Sequence, residues 1–149
     1  MAAEMIHHFA LTVRDLDRSV SFYVGMLGFE QIIRREIRGG YLGELMGRPE
    51  LDARLAILRL GPSKLELIEY RSPRREPSPP PDGNPGAAHI SLLVDDVRKM
   101  HRRLEAEGVR FVSPPVRIAE GPNRGGWAGR RPSVIASRCA GSWTGFSRW

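Results

Sequence analysis

A short apolar segment that opens on a histidine occurs twice in the chain, and this repeat limits the folds available to it. The first copy, HFALTVRD, runs over residues 8–15, and the second, HISLLVDD, over residues 89–96. In both copies an aspartate follows the histidine by seven residues, and the residues between them are mostly β-branched or apolar. Internal duplication of this kind indicates two copies of one supersecondary unit. Each copy contributes a candidate metal ligand, His8 or His89.

The first half of the chain predicts a strand, a helix and three further strands over residues 1–70. Alternation over residues 6–13 is typical of a half-buried strand, with His8 on one face and His7 on the other. Asp15 is a predicted helix N-cap and Gly28 the helix stop. Residues 29–37 predict the second strand, and the Gly-rich residues 38–52 an irregular loop. Two strands over 54–60 and 64–70 form a predicted hairpin around the turn sequence Gly-Pro-Ser.

A proline-rich segment over residues 71–88 separates the halves and holds half of the twelve prolines of the chain. Its composition predicts a linker. Residues 89–94 then predict a strand, Asp95 or Asp96 a helix cap, Gly108 the helix stop, and residues 109–112 another strand. The copy degrades after Pro115, where residues 116–119 and 132–137 keep some strand character. We therefore assign the second module to residues 89–128 and an atypical basic tail to residues 129–149.

The net charge of +6 does not indicate a nucleic-acid partner, because the excess is local. Four arginines and no acidic residue lie beyond residue 128, which leaves +2 on residues 1–128. No basic face with interleaved aromatic residues is present to follow a phosphate backbone. No apolar run approaches the roughly 20 residues of a membrane helix, and no signal peptide is evident. With Cys139 as the single cysteine, the chain is predicted to be cytoplasmic, without membrane or nucleic-acid partners.

Three side chains from separate strands are predicted to share one face. Leu65 and Leu67 are expected to face the helix, so Glu66 between them faces the opposite side, as His8 and His89 do. Two imidazoles and a carboxylate leave open positions on a divalent metal such as Fe, Mn, Co, Ni or Zn. A small substrate with two neighbouring oxygens fits those positions, and the metal would stabilise an enolate formed beside them.

The chain resembles the vicinal oxygen chelate superfamily, which includes glyoxalase I, bleomycin-resistance proteins, fosfomycin-resistance enzymes, methylmalonyl-CoA epimerase and extradiol dioxygenases. The resembling residues are 8–23 with the following Leu-Gly-Phe at 27–29, the strand over 65–70, and residues 89–96. The resemblance covers roughly residues 5–128. It implies an α+β fold in which two βαβββ modules form a cup-shaped mixed sheet. Whether the second module is complete or incomplete here stays open, because the copy degrades after Pro115. It also implies a homodimer and a divalent metal ion on the inner face of the cup.

In glyoxalase-like members the first three ligand positions fall on His8, Glu66 and His89. Their fourth ligand is a glutamate on the final strand, which often doubles as the base, but this chain has no acidic residue after Glu120. Four explanations stay open: a divergent tail, a site with three protein ligands plus water, a shifted reading frame near Ala128, or a protein that only binds its ligand.

The leading hypothesis is a glyoxalase-like, metal-dependent lyase or isomerase that acts on a small substrate with vicinal oxygens. One alternative is a metal-free protein of the same fold that binds or sequesters a small molecule such as an antibiotic. Another is a non-haem iron dioxygenase. Tyr70 and Trp127 are candidates to line the substrate pocket, with ordinary core packing as the alternative for each. No catalytic residue is assigned. Glu69 is expected to point away from Glu66 as a surface or interface charge, and His101 is expected to be solvated.

Overall fold

The computed structural model describes residues 4–72, 89–131 and 134–138, and it divides into two compact units, Met1–Ser78 and Pro79–Trp149. Most of the predicted linker, from residue 73 to residue 88, lies outside the described residues, as does Cys139. Among the described residues, no helix is long and apolar enough to cross a membrane.

The first unit has the predicted order of one strand, one helix and three strands, with one additional short helix. The elements are β1 (Phe9–Thr12), α1 (Leu16–Ser21), β2 (Glu30–Arg38), α2 (Gly40–Leu45), β3 (Asp52–Leu60) and β4 (Ser63–Ser72). Helix α1 continues as a π-helical turn over Phe22–Met26 before Gly28 ends it with a positive φ of 76°. The strands form one sheet in the order β1-β4-β3-β2, in which β1 runs parallel to β4 and the other pairs are antiparallel.

The two faces of this sheet are covered by different elements. On the face of α1, Leu16, Leu58 and Leu67 are fully buried, as the predicted alternation of β4 requires. Burying a leucine side chain contributes about 1.5–3 kcal/mol, so this face supplies much of the stability of the unit. On the opposite face, the buried residues Ile37, Leu51, Ala53 and Leu55 form a cluster with the partly buried Ile33, Leu42, Ile57, Ile68 and Tyr70.

The prediction of an irregular loop over residues 38–52 is wrong in part, because the segment contains helix α2. Its glycines argue against a helix on intrinsic propensity. However, Leu42 packs against the apolar cluster, so tertiary contacts outweigh that propensity. The glycine at 43 is required by close packing, since a Cβ there would lie 2.8 Å from the carbonyl oxygen of Arg48.

The second unit repeats the topology of the first. Its elements are β5 (Ile90–Leu93), α3 (Val97–Ala106), β6 (Val116–Arg117), β7 (Trp127–Arg131) and β8 (Val134–Arg138). The sheet order is β5-β8-β7-β6, with β5 parallel to β8, as β1 is to β4. Strands β7 and β8 therefore extend into residues that the sequence analysis assigned to a basic tail.

The predicted strand over residues 109–112 is absent, and the backbone shows why. The N–H of Val109 donates to the carbonyl of Leu104 at 2.9 Å, and Gly108 has a φ of 80°. This arrangement closes the C-terminus of α3 and uses a donor that a strand would need for its ladder. The strand that pairs with β7 on the side opposite β8 is formed farther along the chain, by Val116 and Arg117.

Candidate functional site

The parallel pairing of β1 with β4 brings His8 close to Glu66. Ala10 is the register partner of Glu66, and His8 lies two residues before Ala10, just ahead of the first paired residue. The Nε2 atom of His8 lies 3.3 Å from Oε2 of Glu66. The Glu66 side chain is 15% exposed and that of His8 is 36% exposed. The pair is therefore shielded on the carboxylate side and open to solvent on the imidazole side.

His89 occupies the corresponding place in the second unit. It immediately precedes β5, as His8 immediately precedes β1, and it is exposed. Among the described residues there is no group of three His, Cys, Asp or Glu side chains arranged to hold a metal ion.

The repeat also identifies the position in the second unit that corresponds to Glu66. Glu66 pairs with Ala10, two residues after His8; in the second unit Ser91, two residues after His89, pairs with Ile135. The equivalent of Glu66 is thus an isoleucine, a residue type without a metal-ligating atom. Strand β8 supplies no carboxylate at this position of the repeat.

The surroundings of Glu66 are apolar. Its register partner on β3 is Ile57, and Ile68 follows on the same face of β4. Tyr70 lies on this face as well, with the guanidinium carbon of Arg48 at 5.7 Å from the centre of its ring. Ile57, Ile68 and Tyr70 also pack against the apolar cluster on this face of the sheet.

Trp127 contacts the helix of its own unit. Gly129, two residues later on β7, faces α3, because a Cβ there would lie 3.3 Å from Cγ1 of Val97. By strand alternation Trp127 shares that face, and the guanidinium of Arg98 on α3 lies 4.8 Å from its ring centre. This contact supports the packing alternative for Trp127.

Glu69 points away from Glu66, as predicted, but it is not a surface charge, because its side chain is only 17% exposed. Its Oε2 accepts hydrogen bonds from the backbone N–H of Leu16 at 2.7 Å and from the guanidinium of Arg54 at 2.6 Å. The same arginine donates to Asp17. A hydrogen bond from Arg34, and to a smaller extent the one from Arg54, holds the pKa of Asp17 below its usual range. Strand alternation carried the necessary signal, since Glu69 shares the helix face with Leu65 and Leu67.

His101 is likewise not solvated as predicted. Its side chain is 11% exposed, and its ring centre lies 4.0 Å from that of Phe111. Residues 109–112 therefore pack beside α3 instead of forming a strand.

The chemistry of the paired side chains fits a divalent metal. An imidazole nitrogen and a carboxylate oxygen are both common ligands of zinc and its neighbours among the transition metals. Their 3.3 Å separation is close to the spacing of two donors on one ion with ligand distances of about 2.0–2.2 Å. His8 and Glu66 are thus suited to be two ligands of a site whose remaining positions come from elsewhere.

Comparison with known proteins yields consistent similarities. The family model for the Glyoxalase/Bleomycin resistance protein/Dioxygenase superfamily matches residues 5–131. A 2-epi-5-epi-valiolone epimerase from Actinomyces sp is 37% identical over 131 residues, which cover 83% of this chain and 70% of that protein. A glyoxalase family protein from Bacillus cereus has a TM-score of 0.76 at 19% identity, covering 95% of this chain and 99% of that chain. Lactoylglutathione lyase from Agrobacterium tumefaciens has a TM-score of 0.57 at 22% identity, covering 93% and 96%.

Proposed function

The chain belongs to the Glyoxalase/Bleomycin resistance protein/Dioxygenase superfamily, and we propose that it is a metal-dependent epimerase or related isomerase of a small oxygen-rich substrate. The observation that carries the proposal is the contact between His8 and Glu66, two donors suited to one metal ion. The 37% identity to a protein named as an epimerase favours isomerisation over the lyase and dioxygenase alternatives.

The proposed chemistry follows from the residues around this pair. An epimerase inverts one carbon, and a carbon beside a carbonyl is inverted when its proton is removed and returned on the other side. His8, Glu66 and His89 would hold the divalent metal, which supplies Lewis-acid stabilisation of the enolate charge. Ile57 and Ile68 would limit water at the reacting carbon. Ile135 occupies the position in the second unit that corresponds to Glu66, and its side chain cannot accept a proton. Another group must therefore act as the base that moves the substrate proton.

The test measures by NMR how fast the substrate proton exchanges with deuterated water in the presence of the purified protein. Zinc, nickel, cobalt, manganese or iron(II) is added to a separate sample in each case. The first substrate to try is 2-epi-5-epi-valiolone, after which the relative is named. We expect exchange and inversion with at least one metal. Each of the variants His8→Ala, Glu66→Ala and His89→Ala should reduce the rate by about 100-fold or more, because even outer partners of metal ligands contribute about 10–100-fold.

A matched control is Glu107→Gln, which alters an exposed glutamate at the C-terminus of α3 and should leave the exchange rate unchanged. Protein purified without chelator should contain a divalent metal by elemental analysis. Negligible metal content, together with undiminished activity of His89→Ala, would contradict the proposal.

A second candidate function is metal-free binding of a small molecule. The isoleucine at the position that corresponds to Glu66 favours this alternative, because it leaves the repeat without a second carboxylate. In that case calorimetry would give equal affinity for the same compound in the presence of EDTA and of added zinc. The epimerase proposal expects binding to weaken when EDTA removes the metal.

A further inference from the structure

On the α1 face of the first sheet, arginine side chains are paired with carboxylates. Arg34 and Arg54 both contact Asp17, and Arg54 also contacts Glu69. A guanidinium donates from a limited number of N–H groups, and these contacts occupy several of them. The charges of this face therefore satisfy one another.

The opposite face, which carries Glu66, holds two arginines without such partners. Arg35 lies on this face because its register partner is Leu55, a member of the apolar cluster. Arg48 lies on it because its guanidinium carbon is 5.7 Å from the ring centre of Tyr70, which packs against the same cluster. Neither arginine makes an ion pair with any residue that the structure describes. This face therefore has an excess of positive charge.

Carboxylates close to Arg48 in the chain do not account for it. Glu44 and Glu50 lie in the same segment, and both are exposed. Neither of these described glutamates forms an ion pair with Arg48, although both are within four residues of it. The guanidinium is thus available to an acceptor from outside the chain.

Arg48 is held in place through both its backbone and its side chain. Its N–H donates to the carbonyl of Gly43 at 2.7 Å, and its carbonyl accepts from the N–H of Leu51 at 3.0 Å. Its side chain is half-buried and contacts the ring of Tyr70. A guanidinium above an aromatic ring is attracted to the ring and still presents N–H groups in the fork that matches a carboxylate or a phosphate. Arg48 is therefore preorganised to bind an oxyanion.

We propose that Arg48 binds the carboxylate or phosphate of a ligand whose other end lies at Glu66. The inference rests on the proposed function for the choice of this face, and it adds the substrate class: a small oxygen-rich compound that carries an anionic group. Glu66 and Tyr70 are four residues apart on β4, which corresponds to about 13 Å between their backbone positions. The anionic group is therefore several bonds away from the carbon that reacts.

The test compares the binding of three sugars that share one skeleton: glucose, glucose 6-phosphate and glucuronate. The two acids carry their charge on carbon 6, far from carbons 1 and 2. Calorimetry is performed on protein treated with EDTA and then desalted, so that binding needs no metal ion. We expect at least one acid to bind about tenfold or more tightly than glucose, because hydrogen bonds to a charged group contribute about that factor.

The acid that binds more tightly identifies the anionic group of the natural ligand. Added salt should reduce its advantage over glucose, because Arg48 is only half-buried and its charge is screened. Equal affinity for the three sugars, or binding of none of them, would overturn the inference.

Substitutions at position 48 assign the effect to this side chain. Arg48→Gln should reduce the preference for the acid to within about twofold of glucose, and Arg48→Lys should keep part of it, since a charge remains without the fork. The matched control is Arg18→Gln, which removes an exposed arginine from α1, on the other side of the sheet, and should keep the full preference. A preference that is unchanged in Arg48→Gln would overturn the inference.

Failure of this inference and failure of the proposed function give different results. Far-UV circular dichroism identifies any variant that does not fold. A protein that prefers the acid through Arg48 but exchanges no substrate proton with any metal would support the anion site and contradict the proposed function. Proton exchange by a protein with no preference for either acid would overturn the anion site alone.

Discussion

At the scale of single residues, one carboxylate joins the start of a helix to the sheet beneath it. Glu69 accepts from the backbone N–H of Leu16, the first residue of α1, and from Arg54 on β3. The side chains of Glu69 and Arg54 are only 17% and 20% exposed, so solvent replaces their hydrogen bonds poorly. Removing the partner of a partly buried charge lowers the free energy of unfolding by more than a surface ion pair contributes to it.

We expect Glu69→Gln to lower the free energy of unfolding by about 1–3 kcal/mol, since Arg54 loses its ionised acceptor while one amide oxygen still serves Leu16. Urea unfolding followed by circular dichroism measures the change. The matched control is Glu44→Gln on α2, where the side chain is exposed. A Glu69→Gln variant as stable as this control would contradict the role assigned to Glu69.

Strand alternation predicts the direction of some side chains correctly and of others incorrectly. It correctly separates Glu66 from Leu65 and Leu67, because those residues lie within the ladder of β4. It fails for His7, whose Nδ1 atom lies 2.8 Å from Nδ1 of His8, because His7 precedes the first paired residue of β1 and its direction depends on contacts and not on the pleat.

At the scale of elements, the two helices that follow the repeated segment begin in the same way. Asp15 accepts from the N–H of Arg18, and Asp96 accepts from the N–H groups of Arg98 and Lys99. The sequence predicts Asp15 as the first cap and Asp95 or Asp96 as the second, because a helix N-terminus needs an acceptor at a defined position regardless of distant contacts. The structure selects Asp96. In contrast, α2 depends on Leu42 packing against the cluster of the first sheet, and no local pattern indicates it.

The cap of α3 makes stability depend on pH. Hydrogen bonds from the backbone of Lys99 first, and also of Arg98, lower the pKa of Asp96 below 3.8. A carboxyl with a lowered folded-state pKa stabilises the fold above its unfolded value, and that stabilisation is lost as the pH falls through the folded value. We therefore expect Asp96→Ala to lower the thermal midpoint near neutral pH, and the difference from wild type to shrink below pH 3.8.

Thermal unfolding of three proteins at several pH values measures this effect. Asp96→Asn is the control, because asparagine keeps the cap but does not titrate. The difference between the alanine and asparagine variants should thus stay constant with pH. A difference between wild type and Asp96→Ala that is equally large at neutral and acidic pH would contradict the assignment.

At the scale of the whole molecule, the chain consists of two units with the same strand order, and a histidine immediately precedes the first strand of each unit. Only the first unit carries a carboxylate at the position of Glu66, so the repeat is symmetric in fold and asymmetric in ligands. The proposed ligand set assigns His8, Glu66 and His89 to one metal ion, and this assignment can be tested directly.

We expect His8→Ala, His89→Ala and the double variant to lose metal affinity by similar factors, because ligands of one ion act as a unit and their effects are not additive. Competition with a chelator measures the affinities. If the two histidines served separate sites, the wild type would bind two ions, and each single variant would lose one of them while the other kept its affinity. That stoichiometry would exclude a shared metal ion.

The sequence alone determined the repeat, the order of its first elements, both helix starts and the β3–β4 hairpin, because periodicity, capping and turn residues act within a few positions of the chain. Tertiary structure decided the parallel pairing that brings His8 to Glu66, which are 58 residues apart in the chain. It also decided the formation of α2, the loss of the strand at 109–112, and the direction of His7. Each of these depends on which distant groups satisfy a side chain or a backbone donor, and such contacts leave no local pattern to read.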